Sequence, residues 1–156
     1  AWGSATVRAS PHVAVHLHSA RAKVHGGVLI DVTGVNDTTE AWLEHHGIEV
    51  ADGSAVLFKA VGADLRSDHG FEYPIGQTVA CDDWLDEDSC GNGLHLSPRP
   101  VHAQEYHAGR ARFLACRVDV AGLRVITGIG APKAKVREVT VLHEVDIDGE
   151  PLEVTS

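Results

Sequence analysis

Methionine is absent from all 156 residues, even at position 1, so the chain is expected to be a processed protein or a fragment, and Ala1 need not be its natural start. Cysteine is scarce. Cys81, Cys90 and Cys116 are too few and odd in number for a disulfide framework, which favours a reducing compartment and leaves one Cys81 to Cys90 bridge open. No apolar run approaches the roughly 18 residues of a membrane span, and no charged-then-apolar leader opens the chain, so a soluble protein is expected. Basic residues are outnumbered. Thirteen Lys and Arg against 22 Asp and Glu give a formal charge of −9, which opposes a broad grip on nucleic-acid phosphates unless the bases cluster. Familiar catalytic signatures are missing as well: there is no G-x-S-x-G, no phosphate-loop lysine and no H-E-x-x-H. Gly128-Ile129-Gly130 lacks the third glycine and the following helix of a dinucleotide fingerprint, and reads as a turn.

What remains is globular in composition, 44% hydrophobic and 22% charged, with the length of one domain or of one domain plus a short appendage. Eleven histidines make the negative charge sensitive to acidification near their ordinary pKa of about 6.5. Over residues 5–32 small and β-branched residues alternate with polar ones, as in Val13, Val15 and Leu17 against His12, His16 and His18. That is strand periodicity. A spacing of eight recurs (Val7 and Val15, Ala9 and Leu17, Ala22 and Ile30, Val24 and Val32), and Ser4-Ala5 reappears as Ser19-Ala20. Residues 1–34 are therefore expected to be a truncated β-solenoid-like segment, with an ordinary β-meander as the alternative. A bare solenoid end exposes unpaired backbone, so self-association through it is expected.

Residues 35–54 read as a linker. Thr38 or Thr39 caps a short helix through Ala41, Trp42 and Leu43 that stops at Gly47, and Asp52-Gly53 turns a hairpin. The helix is expected to dock the segment onto an α+β domain over 55–156. There a strong strand at 55–61 (AVLFKAV) is followed by a loop-rich stretch to Asp88. A strand at 93–96 leads to a proline-started helix at 100–107, capped by Ser97. Strands follow at 112–120 and 123–126, and one long strand at 136–147 precedes the Asp148-Gly149 turn.

The histidines and cysteines raise the question of a metal, but neither His12, His16, His18 and His25 nor Cys81, Cys90 and His95 make a recognisable ligand set, so no structural metal is expected. The acidic run at 82–89 reads as an exposed loop. Seven basic residues from Arg110 to Arg137 against one acid make a locally positive stretch that could meet phosphates, or dress a solvent face.

An order of short motifs carries more. Leu57-Phe58-Lys59-Ala60-Val61, then Gly70-Phe71-Glu72-Tyr73 with Ile75-Gly76, then Cys90-Gly91-Asn92-Gly93-Leu94-His95-Leu96-Ser97-Pro98 resembles an uncharacterised domain of bacterial and phage proteins, DUF7666-like, with FKA, GFxYxxG and CxxGxH elements over about 56–147. The fragment GSATVRA near the start is similar to repeats that precede such domains in actinobacterial and phage proteins. That resemblance implies a cytoplasmic protein of a bacterium or a phage-infected cell, and no activity. A more distant one supplies a chemistry: the Leu-His-Leu-Ser-Pro strand end, the helix with Ala103 and Tyr106, and the strand from Phe113 are similar to the centre of small ADP-ribosyltransferase-like folds. By that resemblance the cofactor is NAD or a related nucleotide. His95 would hold a ribose hydroxyl or phosphate, and Tyr73 or Tyr106 would stack on nicotinamide. Lys59 would stand where the family has Arg or His, and Glu144 would orient a nucleophile or stabilise an oxocarbenium-like centre. No E-x-E or Q-x-E pair is present. The alternatives are a non-catalytic ligand- or protein-binding module and a structural appendage of a repeat protein.

Overall fold

The computed structural model describes residues 1–128 and 130–152; Ile129, within the expected glycine turn, and 153–156, at the end of the expected domain, lie outside it. The chain divides into two compact units, Ala1–Trp42 and Leu43–Ser156.

The first unit holds four short strands, β1 (Thr6–Arg8), β2 (Ala14–Leu17), β3 (Lys23–His25) and β4 (Val28–Asp31). They pair in parallel and skip a neighbour: β1 lies against β3 with Val7 opposite Val24, and β2 against β4 with Val15 opposite Leu29. The eight-residue recurrence is thus the step from one strand to the next, Val7 to Val15, rather than the step between paired strands. No solenoid is shown by these two pairs. The alternation buries less than it promised, for Val15 and Val32 are covered whereas Val13, Val28, Leu29 and Ile30 stay exposed. Tight passage between β3 and β4 depends on Gly26 and Gly27, both at positive φ. A Cβ on Gly26 would fall 2.3 Å from the Ala9 carbonyl oxygen, and one on Gly27 would fall 2.7 Å from that of Val13.

Helix α1 (Thr39–His45) is capped by Thr38, whose Oγ1 accepts from the Ala41 N–H at 3.1 Å. It ends at Gly47 (φ +64), where the Gly47 and Ile48 N–H groups return to the Glu44 and Leu43 carbonyls.

In the second unit Asp52 and Gly53, both at positive φ, close the hairpin between β5 (Val50–Ala51) and β6 (Ser54–Val61), as an Asp-Gly turn does. A five-stranded antiparallel sheet follows in the order β5-β6-β9-β12-β7, with β7 at Thr78–Ala80, β9 at Arg112–Asp119 and β12 at Glu138–Val145. A three-stranded antiparallel sheet runs β10-β11-β8, with β8 at Leu94–Leu96, β10 at Arg124–Ile126 and β11 at Lys133–Val136. The single long strand expected at 136–147 is two strands. The chain leaves the small sheet at Val136 and enters the large one at Glu138, so the strand pattern runs on while the pairing partner changes.

Ser97 does not cap the second helix. It is buried and exchanges both backbone hydrogen bonds with Phe58, at 2.8 and 2.9 Å, which ties β8 to β6. Helix α2 (Pro100–Gln104) starts from Arg99 without a side-chain cap and stops three residues short of the expected His107. Period-two alternation sorts β6 and β9 into two faces. Ala60, Phe113, Ala115 and Val145 pack with Ala103 of α2 and Phe58 on one. On the other are Leu57, Lys59, Val61, Leu114 and Cys116, all buried except Lys59. Deleting such a side chain, as in Leu114→Ala, costs about 2–5 kcal/mol.

Candidate functional site

Lys59 is the one charge among the apolar neighbours on its face of β6, and it points toward β8: its Nζ donates to the His95 carbonyl at 3.1 Å and sits 5.3 Å from the centre of the Tyr73 ring. Beside it opens a cavity of about 570 Å³, lined among others by Lys59, Phe71, Tyr73, Asp82, Asp83, Cys90, His95, Tyr106 and Lys133. Four of the five candidate residues, Lys59, Tyr73, His95 and Tyr106, are therefore together. Glu144 is not with them. Its carboxylate is gripped by Arg112, which donates from Nε to Oε1 at 2.8 Å and from Nη2 to Oε2 at 2.5 Å, while Nη1 reaches the Ala63 carbonyl. Those hydrogen bonds hold the Glu144 carboxyl below the usual range and engage both oxygens, and Glu144 is not among the residues that line the cavity.

His95 is set by its own loop. The Gly91 N–H donates to His95 Nε2 at 3.3 Å, so that nitrogen carries a lone pair and the neutral ring keeps its proton on Nδ1. Burial, then the charges of Lys59, Lys133 and Lys135, push its pKa down to about 4. Lys59 is itself pushed down to about 8, chiefly by burial. The Tyr73 hydroxyl, almost fully covered, is raised by burial and stays protonated. Tyr106 is the exposed aromatic, with Lys133 Nζ 4.2 Å from its ring centre and its hydroxyl donating to the Ala131 carbonyl.

Sequence reasoning did not single out Lys133, Lys135 or the role of Cys90. Lys133 and Lys135 stand two apart on β11 and so share a side of the strand. The first donates to Cys90 Sγ at 3.3 Å. The second, fully buried, donates to the Gly91 carbonyl at 3.1 Å and lies 5.5 Å from the Trp84 ring centre. Gly93 makes this approach feasible, since a Cβ there would fall 3.1 Å from the Trp84 ring and 3.3 Å from the Lys135 side chain. The locally positive stretch and the K-x-K spacing were the available signals.

Among the described residues no ion pair involves a lysine; the carboxylates that are paired go to Arg66, Arg112, Arg124 and His107. An ammonium has three donors, and Lys59 and Lys135 each spend one on a backbone carbonyl. Burying a charge this way is costly unless something anionic completes it. A slightly larger groove of about 610 Å³, lined by His46, Phe58, Arg99 and Arg117 with Glu49 and Asp148, differs in having no lysine in its lining. No group of three or more His, Cys, Asp or Glu among the described residues is arranged to hold a metal ion, and the three thiols are free. No helix among the described residues is long and apolar enough to cross a membrane.

Residues 55–152 match the model of a family described as a domain of unknown function, DUF7666. No curated protein and no solved structure matches the chain.

Proposed function

The chain belongs to the DUF7666 family, whose description carries no activity, and we propose from the site alone that its cavity binds a small anion bearing a planar ring, NAD or a related nucleotide. The observation that carries this reading is the lysine pair lining the cavity, Lys59 and Lys133, neither in an ion pair with a carboxylate among the described residues, next to a neutral His95 and the partly exposed Tyr106 ring. Phosphate oxygens would complete Lys59 and Lys133. Tyr106 would take the ring, and Asp82 or Asp83 would accept from ribose hydroxyls. The ADP-ribosyltransferase-like resemblance shares Lys59, His95 and the stacking tyrosine with this arrangement, whereas Lys133, Asp82 and Asp83 come from the cavity lining. With Glu144 committed to Arg112, binding without turnover is favoured over transferase activity.

Calorimetric titration with NAD and with ADP-ribose, together with an assay of nicotinamide release, separates the possibilities on the natural chain and on His95→Ala. Heat of binding that His95→Ala abolishes, with no nicotinamide released, supports the binding module. Release of nicotinamide would restore the transferase. Neither signal from a folded chain would sink the nucleotide reading.

For the first unit we infer a solenoid-like remnant of two rungs, β1-β2 and β3-β4, whose two parallel pairs are the small sheets that join one rung to the next. The support is the skipped-neighbour pairing and the exposed apolar side chains of β4, a strand that among the described residues is paired only on its β2 side. Such an edge templates another strand, so the chain is expected to self-associate through it. Sedimentation that stays monomeric over a wide concentration range would remove this inference.

A further inference from the structure

Cys90 differs from the other two thiols in everything that governs encounter with a reagent. Cys116 has no exposed surface and is pushed up to about 12 by burial, and Cys81 is buried with its Sγ donating to the Arg137 carbonyl. Cys90 is exposed. Its sulfur accepts from Lys133 Nζ at 3.3 Å and stands 3.9 Å from His95 Nε2. Two cavities meet there, for Cys90, Tyr106 and Lys133 also line a smaller pocket of about 140 Å³, so an adduct has room on either side. Lys59 and Lys133 line the larger cavity, and Lys135 holds the loop carbonyl of Gly91.

We propose that Cys90 is a covalent modification site for small anionic disulfides, which the lysines of the cavity draw to the sulfur. The proposal rests on the cavity accepting anions, and it adds a chemistry that ligand binding alone does not need. The step is thiol–disulfide exchange. The Cys90 thiolate, its proton released to solvent, attacks one sulfur of the incoming disulfide. A new S–S bond forms as the old one breaks, and the leaving thiolate carries off the electron pair and is later protonated by solvent. Cys90 is oxidised and the departing half is reduced. Lys133, 3.3 Å from the sulfur, and Lys59 in the same lining raise the local concentration of an anionic reagent at Cys90, against the Asp82 and Asp83 carboxylates elsewhere in that lining, by about tenfold or more at low salt. The adduct then fills the space that a nucleotide would occupy, so modification would close the site.

The test compares the doubly anionic nitrobenzoate disulfide with neutral dipyridyl disulfide on the full chain, each rate divided by that with a small neutral thiol. Peptide mapping identifies the first cysteine to react. The expected result is Cys90 labelled first, an advantage of about tenfold for the anionic disulfide that shrinks as salt rises, and loss of that advantage in Lys133→Gln. Equal corrected rates, or Cys81 or Cys116 labelled first, would overturn it. The salt dependence needs no variant, so it decides the matter even if Lys133→Gln does not fold. A flat comparison alongside intact NAD binding would dispose of the thiol site alone. A salt-dependent preference alongside a silent NAD titration would dispose of the nucleotide reading alone.

Discussion

Two regions on one face of the central sheet handle charge in opposite ways. At Arg112 and Glu144 a guanidinium and a carboxylate from adjacent strands meet in a two-pronged pair, and a third donor of the same arginine takes a backbone carbonyl. At Lys59, whose cross-strand partner Leu114 is also the partner of Glu144, a half-buried ammonium has a carbonyl and an aromatic ring for company. The first region is complete in itself and can be explained by the fold. The second is not, because a half-buried cation with no carboxylate in ion-pair range among the described residues, Asp68 acting on it only from farther off, lowers stability unless something outside the chain offsets it. The contrast teaches that exposure and residue type are poor guides to a working residue here, and that unsatisfied charge is the better one.

The largest effect expected from breaking the contrast is on binding. Lys59→Met should weaken nucleotide affinity by about a hundredfold, the scale of losing one hydrogen-bonded charge, while leaving the melting temperature unchanged or higher. The sign of its pH dependence follows from the lowered pKa. Between about 8 and the ordinary 10.5 the unfolded chain holds a proton that the folded chain has lost, so the Lys59 contribution makes stability rise with pH across that window. Denaturant titrations of the variant should lose that component. A melting temperature that falls sharply in Lys59→Met would place the lysine among the structural residues instead.

His95 comes next. Its folded pKa of about 4 lies below the ordinary 6.5, so the stability gained from keeping the ring neutral is present above pH 6.5 and drains away as pH falls toward 4. His46 is lowered to about 4 as well, by burial and then by His45, His102 and Arg99, so His95→Phe should remove part of the acid loss and leave the rest. An anion in the cavity offsets the lysines and raises the His95 pKa, which means that binding takes up protons and tightens as pH falls from 6.5. Calorimetry in buffers of different ionisation heat measures that uptake directly.

Glu144→Gln is the smallest change. The pair is partly exposed, so its loss should cost about 1 kcal/mol or less. Because the Glu144 carboxyl is held low, that contribution is present above the ordinary carboxylate range and disappears with acidification through the lowered value. Nucleotide affinity should not move. A binding defect in Glu144→Gln equal to that of Lys59→Met would erase the distinction between the two regions.

The local chemistry of turns and caps was legible. Asp52-Gly53, Thr38 and Gly47 act through their own backbones, and each does what its residue type requires. The strand at 55–61 and the His95 strand were legible from pattern, and their motifs brought Lys59, Tyr73, His95 and Tyr106 to one cavity. What failed depended on partners distant in sequence. Glu144 has the alternation of a strand, but nothing near it announces Arg112. The change of sheet at Arg137 leaves the alternation unbroken, so one strand was read where there are two. Ser97 has the type of a helix cap and is instead claimed by Phe58. In β4 an apolar run, Val28, Leu29 and Ile30, was present and burial was not, because apolar residues in a strand do not say that anything covers them.

The position of β9 at the middle of the large sheet governs the order in which the molecule can be made. During synthesis the β5-β6 hairpin emerges early, carrying an apolar run whose partner is still unmade, since Ser54 pairs with Asp119 and Val61 with Arg112. For all that time β6 is an open edge seeking a neighbour, and contacts of such long sequence separation form on the slow scale of milliseconds to seconds. β12 then closes the far side of β9 and brings β7 with it. A chain released before Arg112 would keep the sticky hairpin and lack its mate, and recovery in the insoluble fraction is the outcome to expect of it.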